Sequence, residues 1–328
     1  MPSDLVTFGE AMIRLSPPNF KRLEQAHILD VFVGGAELNT AVACARLGRS
    51  ASWVSRLTRN PLGRLLANKA REAGVGTEHI VWTDDDRVGL YFLEFGAAPR
   101  ASGVLYDRKN AAIAGIRPGM VDWAKALAGC KWFHVTGITP ALSTGTAETT
   151  REALTTARAG GVQTSIDLNY RVKLWSQAEA GRWMRELMPL CDVLITTEED
   201  VERVFGIKAG SYEEVAKRLL DAFPLRIVAI TLRENPLVWK NVWTAIACQG
   251  QLIHRTRTYE VEIVDRLGAG DSFAAGLIHG LLDGDLQKGL DYGVAASAIK
   301  HSIPGDFAWI TREEVEALLK GPGLRICR

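Results

Sequence analysis

Paired cysteines, glycosylation acceptors, long apolar runs and an excess of either charge are all missing from this chain, and each absence removes a class of protein. Cys44, Cys130, Cys191, Cys248 and Cys327 are scattered, odd in number and never spaced Cys-x-x-Cys, which argues against a disulfide framework or a zinc site. There is no Asn-x-Ser/Thr acceptor, no signal-peptide pattern at Met1–Glu10 and no apolar run near the length of about 18 residues that a spanning helix needs. A reducing cytoplasm is the expected compartment. Lys and Arg number 39 against 38 Asp and Glu, for a net charge of +1, so no overall field steers the chain onto nucleic acid or an anionic membrane. No partner of either kind is expected. Also missing are a Walker A pattern and a Gly-x-Gly-x-x-Gly after the first strand, which disfavours a P-loop enzyme and an NAD-dependent oxidoreductase.

What is present is an ordinary globular composition, 47% hydrophobic and 23% charged over 328 residues, enough for one large core with a small appendage. The expected organisation is a single unit over residues 1–328. Leu5–Phe8 reads as a first strand, and Val33-Gly34-Gly35 leads into a helix with Leu38, Val42 and Ala45 on one face. Short apolar runs then alternate with helical segments over Thr144–Arg158, Ala178–Met188, Tyr212–Ala222, Gly270–Leu282 and Leu286–Lys300. This rhythm predicts a mostly parallel sheet covered by helices. It breaks at about 12–33 and 88–110, where alternating strands predict a small antiparallel sheet projecting from the main body.

The strongest chemical signal is Asp265-Arg266-Leu267-Gly268-Ala269-Gly270-Asp271-Ser272, between an alternating strand at Tyr259–Val264 and a helix with Phe273, Leu277 and Leu281 on one face. Gly268 and Gly270 let main-chain N–H groups approach a ligand, and the helix start adds partial positive charge. Asp271 within that anion cradle would repel phosphate unless it has another duty, and accepting a proton is such a duty. The helix start is expected to hold its pKa near or below about 3.9. The competing reading is a plain helix cap.

The segment Asp265–Asp271 closely resembles the Asp-Thr-x-Gly-Ala-Gly-Asp signature of ribokinase-like (PfkB) carbohydrate kinases, and Gly34-Gly35-Ala36-Glu37-Leu38-Asn39 resembles that family's sugar-site glycine pair and following Asn. Gly89–Glu94, Tyr106-Asp107-Arg108, Gly137–Ser143, Asp167–Trp175 and Lys300–Phe307 look like the 2-keto-3-deoxygluconate kinase branch. The resemblance runs from about residue 5 to residue 320. It implies a ribokinase-like three-layer α/β/α fold with a small antiparallel β lid, and an ATP-dependent kinase acting on the terminal hydroxyl of a sugar acid. Asp271 would be the base, and Gly268, Ala269 and Gly270 the cradle. Gly34, Gly35, Asn39, Tyr91, Tyr106, Arg108, Ile138, Arg171 and Asp306 would line the sugar pocket. Asn169, Arg171, Thr197, Thr231, Arg233, Ala275 and Ser297 would meet the nucleotide together with Gly268 and Gly270.

Mg²⁺ is implied as well, at Asp200 in Thr197-Glu198-Glu199-Asp200, where the family usually carries Asn-x-x-Glu. Arg266-Leu267 replaces the more frequent Thr-Thr type pair, which puts a monovalent-cation requirement in doubt. Tyr106 and Arg108 share a face of an extended strand, as do Asp167, Asn169 and Arg171 if the strand runs past Ile166. Two guanidiniums suit a carboxylate-bearing substrate. Open alternatives are ordinary ion pairs for Arg108 and Arg171, lid packing for Tyr91 and a turn for Asp306. As rival functions stand kinases for fructose, a nucleoside or another keto sugar, and a sensor that has lost turnover. A dimer joined through the lids is expected, because a projecting sheet exposes edges and one apolar face.

Overall fold

The computed structural model describes residues 2–321, except 238 and the side chains of 233–237. Cys327 lies outside the described residues. Leu5, Val6, Thr7 and Phe8 are all buried, as expected of a strand covered on both faces. It sits within a ten-stranded sheet. The parallel part runs in the order Val75–Gly76, Ala51–Val54, Leu5–Phe8, Trp132–Thr136, Gln163–Asp167, Val193–Thr196 and Ile227–Leu237. Lys240–Gln249 then pairs antiparallel with Ile227–Leu237 and receives Leu252–Arg255 and Tyr259–Glu262.

Alternation along these strands builds two cores. Leu5, Trp132, Ile195 and Ala229 face the layer of helices Ala36–Arg46, Pro61–Glu72, Ala269–Leu281 and Leu286–Lys300. Val6, Phe133, Leu194 and Val228 face the helices Thr144–Ala159, Gln177–Leu187, Glu198–Phe205 and Tyr212–Ala222. The result is the expected three-layer α/β/α arrangement. The helix periods read from the sequence end within a residue or so of those observed.

Met12–Ser16, Asp30–Gly34, Gly89–Glu94 and Gly103–Asp107 form the separate four-stranded sheet. It is not purely antiparallel. Met12–Ser16 pairs antiparallel with Asp30–Gly34 but parallel with Gly89–Glu94, which pairs antiparallel with Gly103–Asp107. The correction has a simple cause: the two strands of the parallel pair are joined through the main body, so no hairpin constrains their direction.

Candidate active site

A cavity of about 380 Å³ opens where the parallel strands end at their carboxyl termini and the small sheet overhangs them, the usual place for ligands in open α/β sheets. Asp167 ends Gln163–Asp167, Thr197 follows Val193–Thr196, Ile138 follows Trp132–Thr136, and all three line the cavity. Two helices start in its wall on glycine and carry no side-chain cap: Ala36–Arg46 from Gly35 and Ala269–Leu281 from Gly268. Every other described α-helix begins on a capping side chain, namely Asn60, Asp122, Ser143, Ser176, Thr197, Ser211, Asp285 and Thr311. At the two exceptions no side-chain cap competes for the first-turn N–H groups, and Gly35–Glu37 and Gly268–Asp271 line the cavity.

Gly268 must be glycine twice over. Its φ is +82°, and a Cβ there would stand 2.0 Å from the Asp306 carbonyl oxygen. Gly270, by contrast, has open space beside it. Asp271 follows in the first helical turn, buried, with Oδ2 accepting from Asn39 Nδ2 at 2.7 Å. The low pKa expected from the helix start is overturned. Burial pushes the Asp271 carboxyl up to about 6, against the opposing pull of Asn39, Arg171 and Lys300. Asp167 beside it is pushed up to about 8 by burial and by repulsion from Asp271 and Asp200.

Gly34, Gly35, Asn39, Tyr91, Tyr106, Arg108, Ile138, Arg171 and Asp306 all line this cavity, as do Gly268, Ala269, Gly270 and Asp271. The side chains are already engaged with one another. The Tyr91 hydroxyl donates to Asp306, whose other oxygen accepts from Arg14 Nη1 at 2.9 Å. The Tyr91 and Tyr106 rings lie 5.8 Å apart, and the Arg108 guanidinium stands 5.5 Å over Tyr106. Arg108 donates to Glu10, so the ion-pair alternative is real, but the pair is largely buried in the cavity wall. Arg108 Nε has no partner among the described residues.

Of the residues expected to meet a nucleotide, Asn169, Arg171, Thr197, Asp200 and Thr231 line the cavity. Asn169 and Arg171 do so from a loop and not from a prolonged strand: the strand stops at Asp167 and Asn169 has φ +37°. Ala275 and Ser297 are corrections. Both are fully buried between the helices Ala269–Leu281 and Leu286–Lys300 and neither reaches the cavity. The cause is close packing: a Cβ on Gly276 would stand 2.4 Å from Gly293 N, and one on Gly280 would stand 2.1 Å from Gly289 N. The Arg233 side chain lies outside the described residues.

Sequence reading missed several groups. Glu10, Glu37, Asn241, Trp243, Arg203 and His301 also line the cavity. Glu37 Oε1 accepts from Thr136 N, Thr136 Oγ1 and Thr139 Oγ1 at 3.0, 2.7 and 2.7 Å, and burial pushes it up to about 7. It clamps the helix Ala36–Arg46 onto the strand Trp132–Thr136. The only local signal was its place after the glycine pair.

The carboxylates fit a divalent cation. Asp200 and Asp167 repel each other within one cavity, and Mg²⁺ needs only one or two protein oxygens beside water and phosphate. No group of three or more acidic, histidine or cysteine side chains suited to hold a metal occurs among the described residues. No described helix is long and apolar enough to cross a membrane.

Comparison with known proteins places this geometry. The crystal structure of 2-dehydro-3-deoxygluconokinase from Thermotoga maritima matches with a TM-score of 0.95 and 43% identity, over 98% of this chain and 99% of that one. The 2-dehydro-3-deoxygalactonokinase of Haloferax volcanii is 40% identical over 324 residues, 98% of each chain. The 2-dehydro-3-deoxygluconokinase of Bacillus subtilis is 29% identical over 97% of this chain and 96% of its own. The family model described as pfkB family carbohydrate kinase matches residues 2–306, and with such full-length relatives this chain belongs to the pfkB family of carbohydrate kinases.

Proposed function

We propose that this enzyme transfers the γ-phosphoryl group of ATP to the terminal hydroxyl of a 2-keto-3-deoxy sugar acid, foremost 2-keto-3-deoxygluconate, giving the 6-phosphate and ADP. The observation that carries the reading is Asp271, a buried carboxylate held by Asn39 at an uncapped helix start, in the same cavity as Arg108 and Arg171. Asp271 receives the proton of the terminal hydroxyl as its oxygen bonds to the γ-phosphorus. The bond from that phosphorus to the bridging oxygen breaks, and ADP departs with the electron pair. The N–H groups of the Gly268–Asp271 turn meet the charge spread over the transferring oxygens. A pKa near 6 suits this role, because the carboxylate is ionised at neutral pH yet more basic than an ordinary one.

Arg108 and Arg171 supply charge for the substrate carboxylate, with Tyr106 and Ile138 along the sugar chain. Gly34 passes close to Asp306, where a Cβ would clash. Asn169, Thr197 and Thr231 are assigned to the nucleotide, and Asp200 would hold Mg²⁺, which would offset the charge of the phosphate groups. The reaction unit is the whole of residues 1–328, with the lid from about 12–33 and 88–110. Val31 and Leu105 stand exposed on that small sheet and Ile28 just before its strand Asp30–Gly34, and we propose that a second copy covers them in a lid-to-lid dimer. Sedimentation as a monomer at micromolar concentration would refute it. The cytoplasm is the proposed compartment, supported by free, buried thiols at Cys44, Cys130, Cys191 and Cys248.

An ADP-release assay over a panel of 2-keto-3-deoxygluconate, its galactonate epimer, fructose, ribose and adenosine tests the assignment. The expected order puts the sugar acids first. The Haloferax relative makes the epimer the one serious competitor for first place, and preference for an uncharged sugar would overturn the role given to the arginines.

A further inference from the structure

Lys300 has no exposed surface, although it is a lysine. A buried ammonium is unfavourable by several kcal/mol unless its surroundings compensate, so its partners say what it is for. Nζ donates to the main-chain carbonyls of Ile303 at 3.0 Å and Asp265 at 3.4 Å. Asp265 opens the glycine loop, and Ile303 opens the turn that delivers Asp306. The Lys300 stem lies directly behind the loop, with Cε 3.3 Å from the point where a Cβ on Gly268 would stand. Gly268, Ala269 and Gly270 line the cavity and Lys300 does not. The loop therefore lies between a fixed ammonium and the place where phosphate arrives.

The nearby carboxylates are held by another cation. Arg14 Nη1 lies 2.7 Å from Asp265 and 2.9 Å from Asp306, with its guanidinium between the rings of Phe32 and Phe95. Asp265 also accepts from the N–H groups of Leu267 and Gly305 at 3.1 and 2.9 Å. With Arg14 on those side chains, the Lys300 charge is spent on carbonyl oxygens, which are the ligands a hydrated monovalent ion would seek. Each such bond also fixes a peptide plane. Because the peptide is trans, turning the Asp265 carbonyl toward Lys300 aims the next N–H away from it.

We propose that Lys300 is a positioning residue for phosphoryl transfer: a covalently attached monovalent cation that orients the Asp265–Asp271 loop, so that turnover needs no such ion from solution. The inference rests on the reading that this loop receives the transferring phosphoryl group. A merely structural lysine would tolerate replacement by an apolar chain of similar length, and no dissolved ion would take its place.

The test uses the full-length enzyme and ADP release at saturating ATP and 2-keto-3-deoxygluconate. Wild-type rates in choline chloride, potassium chloride and ammonium chloride at matched ionic strength are expected to agree within about twofold. Lys300→Met keeps the bulk and removes the charge, and should lower kcat on the order of 10²-fold with the sugar KM within a few-fold. Lys300→Ala leaves a space lined by carbonyls, and potassium or ammonium should restore its kcat saturably, about tenfold over choline. Clear stimulation of the wild type by potassium overturns the proposal, and this arm needs no variant to fold. So does wild-type kcat in Lys300→Met, or a cooperatively melting Lys300→Ala that no cation rescues. If the wild type phosphorylates no sugar acid, the functional reading is what fails. The cation is then judged on ADP affinity, expected to weaken about tenfold in Lys300→Met and overturned if it does not change.

Discussion

Asn39 and Asp271 lie 232 positions apart in the chain and share a 2.7 Å hydrogen bond from amide to carboxylate. It joins the starts of the two glycine-led helices at the carboxylate proposed as the base. The amide favours the ionised form and so holds the Asp271 pKa below the level that burial alone would set. Asn39→Leu removes that pull. The midpoint of the acidic limb of kcat/KM, expected near 6 in the wild type, should move toward neutrality. The variant then loses far more activity at pH 6 than at pH 8. Paired pH profiles check this, since nucleotide titration is common to both proteins, and an unmoved midpoint would take Asn39 out of the account.

Asp271→Asn separates chemistry from stability. Turnover should fall on the order of 10²–10⁴-fold with little change in sugar affinity. The folded-state pKa of about 6 exceeds the ordinary 3.8, so the folded protein holds this proton more tightly than the unfolded chain. That contribution favours folding at low pH and is lost as pH rises through about 6, above which the buried charge is unfavourable. The neutral amide should therefore be more stable than wild type at pH 8, by about 1–3 kcal/mol, and little different at pH 4. Thermal melts at the two pH values read this directly.

Local pattern carried the fold and the motif to the right places because a helix period, a strand alternation and a glycine turn are all written within a few residues. Ile138, Thr197 and Gly268 line the cavity for the same reason, since each lies in a segment that follows a strand end. What failed was set by packing across the chain. The Asp271 pKa depends on burial under elements more than two hundred residues away. Ala275 and Ser297 are fully buried in two helices that pack together at paired glycines, a contact no single segment records. Lys300 and Arg14, read alone, look like any surface base, and only their partners Asp265, Ile303 and Asp306 reveal otherwise.

Two glycines in one motif should respond in opposite ways. Gly268→Ala forces a side chain into the left-handed region and against the Asp306 carbonyl, so it should lose stability, with the backbone strain alone on the order of 1–3 kcal/mol, and activity with it. Gly270→Ala meets open space and gains helix propensity of about 0.5–1 kcal/mol. Its melting temperature should hold or rise while the new methyl narrows the phosphate cradle and raises KM for ATP. Equal destabilisation of both would mean that the loop is not shaped as described.

Arg108 poses the sharpest question about substrate choice, because it both lines the cavity and pairs with Glu10 in a largely buried contact. Arg108→Met leaves that carboxylate without its partner, a change that typically costs about 3–5 kcal/mol. Burial already raises the Glu10 pKa and Arg108 opposes the rise, so the variant's carboxyl should take up a proton more readily and its instability should ease at acidic pH. Adding Glu10→Gln removes the stranded charge and should return most of the lost stability. It should not return affinity: in the single and the double variant alike, KM for the sugar acid is expected to rise on the order of 10–100-fold, while the poor turnover of a neutral sugar stays where it was. Melting curves and steady-state kinetics on the same preparations separate the two effects. If the stable double variant still binds the sugar acid as the wild type does, Arg108 belongs to the wall of the cavity and not to recognition of the carboxylate.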